Sequence, residues 1–455
     1  MSVLYFILLI CVGALAAYCL REFYVRFLNY HRYEDAYLAN LNEAIERHSE
    51  NLTFESLVRL NSWQGLKRFK VARKVVETQR QVDGKQISDI SSFYLEPLET
   101  PRPLPGFLPG QHISLELDTP DGPLLRYYSL SDAPNEQHFR VSVRRALAPP
   151  HLQENVADGK GSGFLHDSIE EGTEVKVGMP TGDFCLQTDI DVGTPVVLLS
   201  GGIGITPMLS MAKALAQTQP KRRVLMFCGI RAALELPMCA DIDFIAEKLA
   251  NVDVYICMSA PDGSVPELLP RKNVHIVTGF QDGRVIEGPD GVGCWLSIEL
   301  IKEIVGDDEG QDFFLCGPPP MMRALVDGLY FWGQPREKVH WEGFGPCAVN
   351  WPGDIINSKL RPCAVSFIDP GKGNSRVYLD WRPASGTILD LADSELQKVR
   401  KLKRMCGKGF CGECKTTYKG TVVYDKPPVF GPLKENECLT CCCRPDGDIV
   451  VTVNA

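Results

Sequence analysis

The chain has 455 residues, of which 44% are hydrophobic and 23% are charged, and its formal net charge is −9. A single core stops growing at about 250–300 residues, so this length predicts several domains, and the composition excludes a disordered chain. The negative charge argues against bulk nucleic-acid binding, and seventeen cysteines without framework spacing indicate a reducing compartment.

An uncharged apolar segment opens the chain. Residues 2–20 lack charged side chains and are just long enough to cross a bilayer, which predicts a transmembrane anchor over residues 1–22. A cleaved signal peptide, which the small residues at 14–16 also permit, normally begins with a basic residue that is missing here. The basic residues that follow are Arg21, Arg26 and Arg32. With the aromatic residues between them, they predict a single-pass membrane protein whose catalytic domains lie in the cytoplasm.

Residues 23–62 are predicted to form a helical juxtamembrane linker, because apolar residues recur there at helical spacing. Residues 63–190 change to short alternating strands punctuated by glycine and proline, which predicts a small antiparallel β-barrel. The run Arg126-Tyr127-Tyr128-Ser129 ends one of these strands. It offers a charge for a diphosphate, a ring face for an isoalloxazine and a hydroxyl for the flavin N5 region.

A glycine-rich turn complements this strand. Gly159, Gly161 and Ser162 precede a predicted helix, whose N-terminal N–H groups, with the serine hydroxyl, make an anion site for flavin phosphates. Either element alone is a weak signal. Their order and separation, followed by Pro180-x-Gly-Asp-Phe184, favour flavin binding.

Residues 191–350 are predicted to form a parallel α/β domain for a nicotinamide nucleotide. Residues 195–199 are apolar, as strands of a parallel sheet are, and they run into a glycine-rich turn where a diphosphate can approach the backbone. The turn contains Gly201, Gly202, Gly204, Thr206 and Pro207. A later strand ends in Cys316-Gly317-Pro318, which predicts Cys316 beside a nicotinamide ring; the alternative is a buried cysteine at a strand end.

Residues 355–455 carry the most specific motif. The spacing C-x4-C-x2-C with a distant fourth cysteine is that of plant-type 2Fe-2S ligands. The first three are Cys406, Cys411 and Cys414, and the candidates for the fourth are Cys438, Cys441, Cys442 and Cys443. A structural zinc site is the alternative, but zinc prefers paired C-x2-C knuckles. The spacing therefore predicts a 2Fe-2S cluster.

Together, these motifs resemble the ferredoxin-NADP reductase superfamily, and closely its flavohaemoglobin-reductase and oxygenase-reductase branch. In chain order they are Arg-x-Tyr-Ser, Gly-x-x-Ser, Gly-Gly-x-Gly-x-Thr-Pro-Met and Cys-Gly-Pro-x-x-Met. The C-terminal segment resembles the plant-type ferredoxin module of phthalate dioxygenase reductase-like proteins. The resemblance implies a flavin barrel, a nicotinamide domain and a β-grasp ferredoxin domain in series, with Cys441 as the fourth cluster ligand.

The resemblance also implies roles for single residues. Ser129, Cys316 and Glu342 would be catalytic, with Glu342 as the acidic residue near the flavin. The flavin would be held by Arg126, Tyr127, Tyr128, Ser129, Gly159, Gly161 and Ser162, and the nicotinamide nucleotide by Gly201, Gly202, Gly204, Thr206, Pro207, Arg231, Cys316, Gly317 and Pro318. FAD is preferred to FMN from the context of Phe184. NADH is preferred to NADPH because Arg231 is the only basic residue where a 2′-phosphate pocket would need several.

The sequence thus predicts a membrane-anchored, NADH-dependent reductase that passes electrons through FAD and a 2Fe-2S cluster to a separate acceptor, such as an oxygenase or a haem protein. An NADH:quinone reductase at the membrane is a second interpretation, because the chain also resembles the reductase subunit of sodium-translocating complexes. Those proteins, however, place the ferredoxin domain before the flavin domain. A redox sensor or assembly subunit without net turnover is a third. No nucleic-acid partner is expected.

Overall fold

In the computed structural model, three main β-sheets follow one another along the chain. The structure describes residues 63, 65–82, 84–98, 104–135, 137–148, 158–188, 193–289, 291–306, 310–344, 349–356, 359–394, 402, 412, 414–424 and 432–453. All of them belong to one unit, Val58–Ala455. The predicted anchor and juxtamembrane linker, residues 1–22 and 23–62, lie outside the described residues.

The first sheet contains β1 (Leu66–Val82), β2 (Lys85–Pro97), β3 (His112–Thr119), β4 (Gly122–Ser129), β5 (Phe139–Arg144) and β6 (Glu174–Gly178). Its order is β4-β3-β6-β1-β2-β5, and its strand pairs are antiparallel. Buried positions alternate with more exposed ones along β3, because one face of the sheet lies on a core. That core contains the buried rings of Phe69, Phe93 and Phe139, together with Leu165 of helix α1 (Lys160–Ser168). The predicted antiparallel barrel is confirmed in this sheet.

The second sheet contains β7 (Val196–Gly201), β8 (Val224–Ile230), β9 (Val252–Met258), β10 (Val274–Gln281), β11 (Arg284–Glu287), β12 (Asp312–Cys316) and β13 (Val339–Glu342). Its helices are α2 (Ile205–Thr218), α3 (Cys239–Lys248), α4 (Ile298–Val305) and α5 (Pro319–Phe331). The order is β11-β10-β9-β8-β7-β12-β13, and only β10 with β11 is antiparallel among these pairs. Every residue of β7 is buried, because apolar clusters cover both faces. The predicted parallel α/β sheet is confirmed.

The strand order of this sheet reverses at β7, because β8 pairs with one side of that strand and β12 with the other. In open α/β sheets, ligands bind beyond the carboxyl ends of the strands at such a reversal. Here β7 ends at Gly201 and β12 ends at Cys316. Both segments that the sequence motifs singled out for a nicotinamide nucleotide therefore lie at this edge.

The third sheet contains β14 (Cys363–Asp369), β15 (Ser375–Trp381), β16 (Lys415–Lys419), β18 (Glu437–Leu439) and β20 (Ile449–Thr452), and a separate ribbon pairs β17 (Val422–Tyr424) with β19 (Cys443–Pro445). The order is β15-β14-β20-β16-β18, with β14 and β20 parallel. The short helix α6 (Pro352–Ile356) precedes this sheet. Helix α7 (Ile388–Ser394) contributes Ile388 and Leu389 to the core that also contains Val365 and Trp381.

The predicted single-pass membrane localisation is contradicted. In the part of the chain that the structure describes, no helix is long and apolar enough to cross a bilayer. The longest helix there, α2, has 14 residues. At 1.5 Å per residue it reaches about 21 Å, whereas the hydrocarbon core of a bilayer measures about 30 Å. The apolar run that prompted the prediction, residues 2–20, lies outside the described residues.

Candidate functional site

Two side chains predicted to be catalytic meet where the first sheet approaches the second. Ser129 ends β4, and its hydroxyl donates to Oε2 of Glu342 at 3.5 Å. Glu342 ends β13 and is only 5% exposed. Its Oε1 lies 3.9 Å from Nδ1 of His112. Because His112 pairs with Ser129 across β3 and β4, the barrel ladder brings both side chains to the carboxylate.

Cys316 joins this group through the second sheet. It pairs with Glu342 on β13 and with Ser200 on β7, so the three residues form one row across the parallel strands. A Cβ at Gly204 would collide with the carbonyl group of Cys316. Only glycine therefore allows α2 to begin this close to the cysteine. The partial positive charge of the helix N-terminus consequently lies beside the end of β12.

The two glycine-containing turns at the strand reversal pack backbone to backbone. A Cβ at Gly317 would lie 3.0 Å from the amide nitrogen of Gly201. A Cβ at Gly201 would lie 2.7 Å from Cδ of Pro318. The absence of side chains at both glycines therefore lets the ends of β7 and β12 approach each other.

The rest of the first turn is fixed locally. Gly202 has a φ of +52°, in the left-handed region that favours glycine. The hydroxyl of Thr206 donates to the carbonyl oxygen of Ile203 at 3.1 Å, and Pro207 is buried in the first turn of α2. Thr206 and Pro207, both predicted to bind the nucleotide, therefore shape the turn whose backbone would receive the diphosphate.

The side chains predicted to hold a flavin lie on β4, at the edge of the first sheet. Arg126, Tyr127 and Tyr128 are half-buried. Burial raises the pKa of Tyr128, and the charge of Arg126 offsets part of this effect. The phenol therefore stays protonated at neutral pH and can donate a hydrogen bond. Such a row of half-buried side chains offers a surface that a planar ring can cover.

The predicted phosphate turn lies next to this row. The hydroxyl of Ser162 donates to the carbonyl oxygen of Gly159 and accepts from the N–H of Ala146, each at 3.0 Å, so it stabilises the turn itself. A Cβ at Gly161 would lie 3.0 Å from Cγ of Arg126. No side chain caps the N-terminus of α1. Helix N–H groups and the Arg126 side chain thus lie together, an arrangement suited to a phosphate.

Exposed side chains lie further along the carboxyl edge of the second sheet. Arg231 directly follows β8 and is exposed. Trp295 is 76% exposed, whereas its neighbour Leu296 is buried in the core of this sheet. The Cβ of Leu296 is 3.7 Å from the position of a Cβ on Gly229, near the end of β8. Arg231 therefore follows the end of β8 in the chain, and Trp295 is the neighbour of a residue that packs near that end.

Comparison with known proteins identifies the family. The model described as "Oxidoreductase FAD-binding domain" matches residues 82–185, and the one described as "Oxidoreductase NAD-binding domain" matches residues 198–266. The flavohemoprotein of Oceanobacillus iheyensis is 30% identical over 318 residues, which make up 69% of this chain and 67% of that relative. The chain belongs to the ferredoxin-NADP reductase superfamily.

Two further similarities lie within this superfamily. The flavohemoprotein of Bacillus thuringiensis subsp. konkukian is 32% identical over 291 residues, covering 63% of this chain and 62% of the relative. The FAD/NAD binding domain of a nitric oxide dioxygenase from Vibrio cholerae is 25% identical, covers 62% of this chain and 99% of that domain, and superimposes with a TM-score of 0.44. The chain spans less than two thirds of the first of these curated relatives. The predicted oxidoreductase of the ferredoxin reductase type, with FAD-binding and NAD-binding domains, is confirmed.

Two side chains of this superfamily member were missed by sequence reasoning. Nη1 of Arg144, at the end of β5, is 3.4 Å from the position of a Cβ on Gly202, and its Nε is 3.2 Å from Oδ2 of the buried Asp89. The second side chain that was missed is His112, whose Nδ1 lies 3.9 Å from Oε1 of Glu342. No spacing motif connects either residue to its neighbour, because the contacts join different strands or sheets. The only available signal for Arg144 was a pair of arginines at a strand end.

The predicted metal site lies only partly within the described residues. The Sγ atoms of Cys414 and Cys441 are 3.0 Å apart, and both cysteines are buried. Cys406 and Cys411 lie outside the described residues. Within the described ranges, no group of three His, Cys, Asp or Glu side chains is arranged to hold a metal ion. The 2Fe-2S cluster therefore stays a prediction.

Proposed function

We propose that this chain oxidises NADH, transfers the hydride to FAD and passes single electrons through a 2Fe-2S cluster to a separate acceptor protein. The observation that carries this proposal is the convergence of Ser129, Glu342 and Cys316 at the strand reversal of the second sheet. A flavin on β4 and a nicotinamide at the reversal would both lie against these side chains. FAD, when bound, accepts two electrons as a hydride and can release them singly.

The surroundings of β4 fit FAD. The half-buried face of Tyr128 can carry the ring, and the uncapped N-terminus of α1 with Arg126 can neutralise the phosphates. A Cβ at Gly161 would occupy space beside Arg126 that a phosphate can use. We therefore assign flavin binding to the predicted set, with Ser162 acting by holding the turn.

The strand reversal fits a nicotinamide dinucleotide. The backbone of the Gly202 turn and the N-terminus of α2 suit the diphosphate, and Nη1 of Arg144, whose Nε pairs with Asp89, offers a further donor beside that turn. The adenosine half would extend towards the end of β8, where Trp295 offers a ring face. A 2′-phosphate pocket would need several basic residues after β8, and Arg231 is the only one among residues 231–238, so we favour NADH over NADPH.

Ser129 and Glu342 would take up the proton that reduced FAD has to release from N5 when it gives up its electrons one at a time. A serine hydroxyl both donates and accepts, so Ser129 would accept from a protonated N5 while it donates to Oε2 of Glu342. Burial of Glu342 keeps water from competing for that bond. Its second oxygen lies 3.9 Å from Nδ1 of His112, which gives the proton an exit towards the barrel.

The C-terminal sheet supports the proposed cluster. A mixed sheet with a parallel central pair and one packed helix agrees with the predicted β-grasp ferredoxin domain. Two predicted ligands, Cys414 and Cys441, already bring their sulfurs together although 26 residues separate them. Thiolates are the ligands that a 2Fe-2S cluster requires. We assign Cys406, Cys411, Cys414 and Cys441 to it.

The acceptor would be a haem protein or an oxygenase. The curated relatives are named flavohemoproteins, a name that joins flavin and haem. That name supports a haem centre as the destination of the electrons.

An anaerobic titration of the purified chain with NADH tests the proposal. Flavin absorbance at about 450 nm should bleach, and the electron-resonance signal of a reduced 2Fe-2S centre should rise with it. Metal analysis of the same sample should find iron and inorganic sulfide rather than zinc.

The outcomes separate the parts of the proposal. Bleaching with zinc or without a cluster signal would leave an NADH:FAD reductase and remove the cluster. Bleaching by NADPH alone would reverse the coenzyme assignment. A flavin that neither coenzyme reduces would refute the proposed function.

A further inference from the structure

A network of four charged side chains joins the first sheet to the second. Nη1 of Arg140 lies 2.7 Å from Oδ2 of Asp241, and Nζ of Lys213 lies 2.7 Å from Oδ1 of the same carboxylate. The same ammonium lies 2.5 Å from Oδ1 of Asp132. Arg140 and Asp132 come from the barrel, whereas Lys213 is on α2 and Asp241 is on α3. Two positive and two negative charges thus alternate across the interface.

All four side chains are largely removed from water, and Arg140 is only 3% exposed. Burial alone would raise the pKa of Asp132, but the hydrogen bond from His138 and the charges of Arg140 and Lys213 hold it well below its usual range. The carboxylate is therefore charged throughout the working pH range. Removing one partner of such a buried set leaves an uncompensated charge, which is strongly unfavourable.

Further hydrogen bonds tie the network to the barrel and to α2. Nε of Arg140 donates to Oγ of Ser131 at 3.1 Å. The hydroxyl of Ser210, on α2, donates to the carbonyl oxygen of Asp132 at 2.8 Å. The barrel segment and the helix are therefore joined by both ionic and neutral hydrogen bonds.

The positions of these residues connect the network with the candidate site. Asp132 follows Ser129 by three residues in the chain. Lys213 is on the helix that begins directly after Gly204, against the carbonyl group of Cys316. A shift of α2 along the barrel would therefore change the separation between Ser129 and Cys316.

A second contact reinforces the same interface. The carboxyl group of Glu77, on β1, is buried, which raises its pKa, and the nearby backbone N–H of Met238 offsets part of that rise. Met238 precedes α3, is buried, and has a φ of +53°, a conformation that costs energy for a residue other than glycine. The start of the helix that carries Asp241 is thus held by a barrel side chain.

We propose that Asp132, Arg140, Lys213 and Asp241 are positioning residues that set the distance between the bound flavin and the bound nicotinamide. This inference rests on the proposed hydride transfer at the same junction. The network acts through α2 and the segment after β4, and it contacts neither ring. A displacement of about 1 Å between reacting atoms can lower a rate about 100-fold, so the network controls rate through geometry.

The test replaces Lys213, which bridges two carboxylates. In Lys213→Met, the rate constant for flavin reduction by NADH under anaerobic stopped-flow conditions should fall about 10-fold or more, whereas FAD content and the flavin midpoint potential should stay at wild-type values. The primary isotope effect with NADH deuterated at the transferred position should increase. Lys213→Arg, which keeps the charge, should recover most of the rate.

The matched control is Lys248→Met, because Lys248 is on α3 and its ion pair with Glu247 is half-exposed. This variant should reduce its flavin at the wild-type rate. If Lys213→Met does not fold, Asp132→Asn keeps the side-chain size and carries the same prediction.

Two results would overturn the inference. A flavin-loaded Lys213→Met or Asp132→Asn protein with the wild-type rate and isotope effect would show that the network serves stability alone. Failure of NADH to reduce the wild-type flavin would remove the proposed function and this inference with it. Normal reduction of the wild type together with unaffected variants would remove the inference only.

Discussion

At the residue scale, Ser129 is the side chain on which the proposed chemistry depends most directly. Its hydroxyl contacts a buried carboxylate, and hydrogen bonds to charged groups contribute about 1.5–3 kcal/mol. We expect Ser129→Ala to lower the rate constant for flavin reduction by NADH about 10- to 100-fold. Stopped-flow absorbance measures this rate directly.

The matched control for this substitution is Ser264→Ala. Ser264 lies in a turn with Asp262, outside the secondary-structure elements of the second sheet. Its loss should leave the rate unchanged. An equal decrease in both variants would show that the effect of Ser129→Ala is not specific to the junction.

His166 provides a pH dependence that is independent of catalysis. Its Nε2 donates to the carbonyl oxygen of Val143 at 2.9 Å and its Nδ1 accepts from the hydroxyl of Ser88 at 2.8 Å, so it is held as a neutral ring. Burial lowers its pKa, and the charges of Arg145 and Lys74 lower it further. The unfolded chain therefore takes up a proton first as the pH falls below about 6.5. Stability contributed by the neutral ring is present above that pH and is lost below it.

Urea denaturation at about pH 7.5 and about pH 5.5 measures this effect. The wild type should lose more free energy of unfolding between these two values than His166→Gln, in which the titrating group is absent. Since both proteins keep the other histidines, the difference isolates His166. Equal losses would contradict the assignment.

At the scale of elements, the start of α2 is the position most sensitive to added volume. A methyl group at Gly204 would collide with the end of β12 although its φ of −61° suits any residue. We expect Gly204→Ala to lower the free energy of unfolding by about 1–3 kcal/mol and to weaken NADH binding, because α2 must move. Denaturant unfolding and coenzyme titration measure the two effects.

Gly193→Ala is the matched control for Gly204→Ala. No heavy atom lies within 4 Å of a Cβ built at Gly193, so its effect on stability should stay within about 0.5 kcal/mol. Comparable destabilisation in both variants would argue against a steric origin.

At the scale of the whole molecule, the flavin and cluster parts can be separated by mutation. We expect Cys441→Ser to abolish the electron-resonance signal of the cluster and to leave flavin reduction by NADH intact, because the two sites lie on different sheets. Cys442→Ser, one residue away and half-buried, should keep the signal. Loss of the signal only in Cys442→Ser would move the fourth ligand to that position.

Sequence patterns predicted those parts of the architecture that depend on residues within one segment of the chain. The apolar run of β7 and the glycines after it required a buried parallel strand and a close turn, and the second sheet has both. The contact between Arg140 and Asp241 could not be predicted, because it depends on how two separately folded sheets meet. The predicted membrane localisation is contradicted by the helices of the described residues, and the apolar residues 2–20 that prompted it lie outside them. The cluster stays a prediction because Cys406 and Cys411 lie outside the described residues.

The proposed dinucleotide site at the strand reversal has two halves, and different parts of the chain form their walls. Around Cys316 the walls are backbone from Gly201, Gly204 and Gly317, where almost any substitution displaces a strand end. Beyond β8 they are side chains of solvent-facing residues, such as Trp295. If a nicotinamide dinucleotide binds there as proposed, substitutions at the outer half should change the preference between the two coenzymes without disturbing hydride transfer at the inner half.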